Sequence, residues 1–71
     1  MNKKDNYNEY GLPDFLIRSI REYEEKKDTS LRDCVYSELQ SDINVCETES
    51  IIPPSQAWYL RNKYLGIFKE T

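Results

Sequence analysis

Histidine is absent from this 71-residue sequence, and cysteine and glycine occur only twice each. Histidine is the commonest general base in enzymes, and a structural zinc site needs about four nitrogen or sulfur ligands, more than Cys34 and Cys46 provide. Two glycines, Gly11 and Gly66, cannot form a Gly-rich phosphate-binding loop. We therefore expect no enzymatic activity, no metal site and no cofactor.

Long apolar runs are also missing. No segment approaches the roughly 18 apolar residues of a membrane span, and the polar start of the chain, Met1 to Asn8, is not a secretion signal. We expect a cytoplasmic protein with no membrane contact. Cys34 and Cys46 fall in one predicted helix, roughly 18 Å apart at 1.5 Å per residue, so they should remain free thiols or pair between molecules.

Apolar residues recur every three or four positions in three segments, which predicts amphipathic helices near residues 13–27, 31–45 and 55–65. Three such helices with short connectors form an all-α, small three-helix bundle. We assign residues 11–71 to this single helical domain and residues 1–10 to a flexible N-terminal arm. The core is expected to contain Leu16, Ile20, Val35, Leu39, Ile43, Leu60 and Tyr64.

The residues that start and end these helices are recognisable in the sequence. Pro13 suits the first position of the first helix, where its missing N–H is not needed. Ser30 and Asp33 resemble a capping box before the second helix, and Ser55 is the expected N-cap of the third. Gly66 is expected to end that helix in the left-handed conformation.

The net charge of −3 is unevenly distributed. Residues 22–49 contain nine acids and three bases, whereas residues 50–71 are mildly basic. The acids are Glu22, Glu24, Glu25, Asp28, Asp33, Glu38, Asp42, Glu47 and Glu49. An acidic segment disfavours nucleic-acid binding, which needs a basic stripe. It either keeps the protein in solution or complements a basic partner surface.

Two predicted apolar faces are interrupted by charges. Asp42 falls within the apolar arc of the second helix and Glu38 just outside it, while Arg61 falls within that of the third. Because charged groups are rarely buried without partners, we predict a structural ion pair between Arg61 and Asp42 or Glu38. The alternative is that these side chains extend past the rim of the core into water.

The same residues could instead bind a partner protein. Trp, Tyr and Arg dominate the energetics of many interfaces, so Trp58, Tyr59 and Arg61, with the acids Glu38 and Asp42, are candidate partner-binding residues. The leading function is a small, non-enzymatic protein-interaction domain with an acidic and aromatic helical surface. In character the chain is similar to accessory proteins of phages and mobile elements, including anti-CRISPR and other anti-defence inhibitors. Homodimerisation remains a third interpretation.

A second function class rests on a local resemblance. Residues 55–67 resemble the first helix and turn of a helix-turn-helix motif, in the order of their alanine, leucine and Leu-Gly-Ile turn. This resemblance implies a small DNA-binding or transcriptional accessory protein. The sequence departs from the motif because only four residues, 68–71, follow the turn, too few for a recognition helix.

Overall fold

The computed structural model of the protein describes residues 11–68. Within this range all regular structure is helical, as predicted, and comprises three α-helices and one π-helical turn that continues the third helix. The elements are α1 (Asp14–Lys26), α2 (Arg32–Thr48), α3 (Pro54–Leu60) and the π turn (Arg61–Leu65). The expected arm, residues 1–10, lies outside the described part of the chain.

The helices begin differently from the sequence-based expectation. Pro13 is the N-cap of α1 rather than its first residue, and the N-cap of α3 is Pro53 rather than Ser55. The predicted capping box is wrong, because Leu31 occupies the N-cap of α2 and no side chain caps that helix. Just before the helix, the Thr29 hydroxyl accepts a hydrogen bond from the Leu31 N–H at 3.1 Å. A local side-chain-to-backbone turn therefore precedes the helix, and no side chain caps it.

Helix α2 runs three residues beyond its predicted end at Val45, to Thr48, and Ser50 lies two residues after this end. The backbone of Ser50 is left-handed, with φ of 60°. The Ile51 N–H donates to the Cys46 carbonyl at 2.8 Å, and the Ser50 N–H donates to the Glu47 carbonyl at 3.1 Å. These two bonds form a Schellman motif, which usually has glycine in the left-handed position. Because serine occupies this position, the sequence does not indicate that the helix ends here.

The core lies where α2 packs against both α1 and α3. Six of the seven predicted core residues are buried, and Tyr64 is the exception, being only partly buried against the cluster. Leu31 is the N-cap of α2 and lies four residues before Val35, but it is exposed and does not join the core. The buried apolar side chains are Leu12, Leu16, Ile20, Tyr23, Val35, Leu39, Ile43, Cys46, Ile52, Ala57, Leu60 and Leu65.

The π turn explains the position of Tyr64. An α-helix rotates by about 100° per residue, and the wider π turn rotates by less. Residues at its end therefore point in different directions from those of a continuous α-helix, and Leu65 is buried while Tyr64 lies at the edge of the core. The turn ends at Gly66, which is left-handed as predicted, with φ of 70°.

Replacement of Leu39 tests the central position of α2. Its side chain is completely buried, so Leu39→Ala should lower the free energy of unfolding by about 2–5 kcal/mol. Val45 is an exposed apolar residue of the same helix, and Val45→Ala should change it by less than about 1 kcal/mol. Chemical denaturation measures both values. Equal effects of the two substitutions would contradict the assigned core.

Replacement of Ser50 tests the Schellman motif. A non-glycine residue in the left-handed region is disfavoured by about 1–2 kcal/mol, so Ser50→Gly should stabilise the protein, by about 1 kcal/mol at most after the entropy of glycine is included. Ser41 is exposed in the middle of α2, where Ser41→Gly should destabilise by about 0.5 kcal/mol. A decrease in the melting temperature of Ser50→Gly would exclude this helix end.

Candidate functional site

Arg61 forms the centre of a polar cluster between α2 and α3. Its Nη2 donates hydrogen bonds to Asn44 Oδ1 at 2.5 Å and to Glu47 Oε1 at 2.7 Å. The guanidinium carbon lies 4.6 Å from the centre of the Trp58 ring, within range of a cation–π contact. Arg61 is 7% exposed. We call Asn44, Glu47, Trp58 and Arg61 the Arg61 cluster.

The predicted partners of Arg61 are wrong. Arg61 is buried and ion-paired as expected, but with Glu47 instead of Asp42 or Glu38. Asp42 instead faces α1, where it accepts a short hydrogen bond from the buried hydroxyl of Ser19. Positions 42 and 44 are about 200° apart around a helix that turns 100° per residue. One side of α2 therefore contacts α1, and the other receives Arg61.

The position of Arg61 suits the electrostatics of α2. The last turn of this helix contains no basic residue of its own, although a helix C-terminus favours cations and disfavours acids such as Glu47. Arg61 brings a cation to that end from the π turn and bonds the acid located there. Glu47 was not among the predicted partners because the second helix was expected to end near residue 45. Recognising that α2 continues to Thr48 would have revealed it.

A second feature is an acidic ridge on the exposed side of α2, formed by Glu38, Asp42, Val45 and Glu49. Their spacings of four, three and four residues place them on one side of the helix. Glu38, Val45 and Glu49 are exposed, whereas Asp42 is half-buried and bonded to α1. The ridge therefore presents two free carboxylates on either side of an apolar side chain.

Nothing in the neighbouring sequence neutralises this ridge. Residues 33–60 contain five acids and no lysine or arginine. Within residues 11–68 the acids of the ion pairs are Glu22 and Glu47, so Glu38 and Glu49 have no cationic partner there. The exposed side of α2 is consequently a region of negative potential.

The aromatic candidates do not join this ridge. Trp58 stacks on Arg61, at the opposite side of α2 from Asp42. Tyr59 is half-buried on α3, and the Lys63 ammonium lies 5.7 Å from the centre of its ring. The structure thus separates the predicted partner-binding residues. Trp58 lies beside Arg61 and Tyr59 beside Lys63, whereas Asp42 is on the side of α2 that contacts α1.

The two cysteines differ in environment. Both are free thiols, as predicted; Cys34 is exposed and Cys46 is buried. Burial raises the pKa of the Cys46 thiol, and the charge of Asp42 raises it further. A protonated, inaccessible thiol is a poor nucleophile, and Cys46 is part of the buried core.

No protein-family model matches this chain, and neither a curated protein nor a solved structure shows significant similarity to it. Among the described helices, none is both long and apolar enough to cross a membrane. The part of the chain from Gly11 to Phe68 contains no group of three acidic, cysteine or histidine side chains arranged to hold a metal ion. Function must therefore be inferred from the ridge and the Arg61 cluster.

Replacement of Arg61 tests whether the cluster stabilises the fold. Arg61→Ala removes two charge-assisted hydrogen bonds and the contact with Trp58, and should lower the free energy of unfolding by about 2–3 kcal/mol. Asn62 is the exposed neighbour in the same turn, and Asn62→Ala should have an effect below about 0.5 kcal/mol. Thermal denaturation compares the two variants. An unchanged melting temperature for Arg61→Ala would show that the contacts of Arg61 with Asn44, Glu47 and Trp58 do not stabilise the protein.

Proposed function

We propose that this protein is a small, non-enzymatic interaction domain that binds a basic surface of a partner protein through the acidic ridge of α2. The observation that carries the proposal is the absence of lysine and arginine from residues 33–60, combined with the exposure of Glu38 and Glu49. Uncompensated negative charge accelerates association with a basic surface and selects against acidic ones.

The composition of the ridge also suits an interface. Val45 is 46% exposed and lies between the two free carboxylates, so a partner could bury an apolar side chain while its basic residues bind the acids around it. Interfaces commonly combine an apolar centre with a polar rim. The ridge is also part of a helix that is fixed on its buried side, so little ordering is required on binding.

A basic cleft that binds nucleic acid is the particular partner surface that we propose. Such a cleft is complementary to carboxylates for the same reason that it binds phosphates. Occupation of the cleft by the ridge would exclude nucleic acid from it. The protein would then act as an inhibitor of a bacterial nucleic-acid-binding protein, in the manner of phage and mobile-element inhibitors.

Capture from a bacterial lysate, followed by affinity measurement with the purified captured protein, tests this proposal. The double variant Glu38→Gln with Glu49→Gln should weaken binding about tenfold or more, and binding should weaken as salt increases. The matched control, Glu24→Gln with Glu25→Gln, makes the same change in charge at exposed positions of α1. It should change the affinity less than about twofold.

Two results would overturn the proposal. If the ridge variant and the control weaken binding equally, the ridge is not the interface and the effect is one of net charge. If the protein itself binds DNA at physiological salt, with an affinity that falls steeply as salt increases, the DNA-binding alternative is supported instead. The proposal predicts no DNA affinity under those conditions.

A further inference from the structure

Helix α3 is attached to the rest of the molecule differently from α1. Helix α3 has seven residues and the π turn that continues it has five, which together only reach the lower limit of the roughly 12–15 residues that an isolated helix needs for marginal stability. Helix α1 is 13 residues long, and its contact with α2 is more extensive than that of α3. The stability of α3 therefore depends on its attachment to α2 rather than on its own backbone.

That attachment combines a few apolar side chains with polar bonds close to solvent. Ala57, Leu60 and Leu65 are buried. The Arg61 bonds end on Asn44, which is exposed, and on Glu47, whose side chain is 28% exposed. Water can reach both acceptors when Arg61 withdraws, which lowers the free energy needed to break these bonds compared with fully buried ones.

We propose that α3 and the π turn open from α2 as one unit while α1 and α2 stay folded together, and that the Arg61–Glu47 pair is the latch that keeps this unit closed. Local opening of the least stably attached element is a general property of folded proteins. Here the latch is a single ion pair at the end of α2. Opening exposes the apolar surface of α2 that α3 covers in the closed state.

The chain contains a natural reporter of this motion. The Cys46 side chain is completely buried in the core cluster to which α1, α2 and α3 all contribute, Ala57 and Leu60 of α3 included. Cys46 also directly precedes Glu47 of the latch. A thiol reagent can reach it only after the core opens. In a Cys34→Ser background, which removes the exposed thiol, the labelling rate of Cys46 measures the opening equilibrium.

The experiment compares Glu47→Ala with Glu49→Ala in this background. Both substitutions remove an acid near the C-terminus of α2, but only Glu47 bonds Arg61. At zero denaturant, Glu47→Ala should accelerate Cys46 labelling about tenfold, and Glu49→Ala less than about twofold. Below the unfolding transition, the labelling rate should depend only weakly on denaturant, because local opening exposes little surface.

Amide hydrogen exchange gives an independent readout that a merely structural role would not reproduce. The amides of Leu60 and Leu65 should exchange faster than that of Leu39, and Glu47→Ala should increase this difference. The proposal is overturned if labelling of Cys46 follows the denaturant dependence of global unfolding in the parent protein. It is also overturned if Glu47→Ala accelerates exchange in all three helices by the same factor.

Discussion

Burial of one face of α2 by the helices on either side is the constraint on which the rest of the structure depends. Leu39, Ile43 and Cys46 lose all solvent exposure there. The described part of the chain is short. It contains no disulfide and no group of side chains arranged to hold a metal ion, either of which could supplement this burial. Apart from the π turn that continues α3, both α1 and α3 pack mainly against α2, so α2 positions both helices.

Apolar burial alone does not fix how a short helix is oriented, because the hydrophobic effect is non-directional. The Arg61 cluster supplies direction, since a planar guanidinium bonded to Asn44 and Glu47 allows few placements of α3. On the other side of α2, Ser19 and Asp42 form the corresponding polar contact with α1. The acidic ridge is the exposed side of α2 that carries carboxylates without a cationic partner among the described residues, which is why we propose it as the surface for a partner.

Much of this fold could be predicted from periodicity and capping residues, because α1, α2 and α3 each have an apolar stripe and Gly66 marks the last helix end. Three features could not. Ser50 adopts a backbone conformation that sequence rules reserve for glycine, which hid the last turn of α2 and hence Glu47. The π turn exchanged Leu65 for Tyr64 in the core, and nothing local in the sequence signals it. Arg61 was recognised as a buried cation, but its partner depended on that hidden turn.

The pairing of Arg61 with Glu47 is the interaction to test first, because the orientation of α3 and the proposed latch both depend on it, and it involves the last turn of α2. A double-mutant cycle with Arg61→Ala and Glu47→Ala, measured by chemical denaturation, tests it most directly. We expect a coupling free energy of about 1–2 kcal/mol for this pair and less than about 0.5 kcal/mol for Arg61 with Asp42. A larger coupling with Asp42 than with Glu47 would contradict the account.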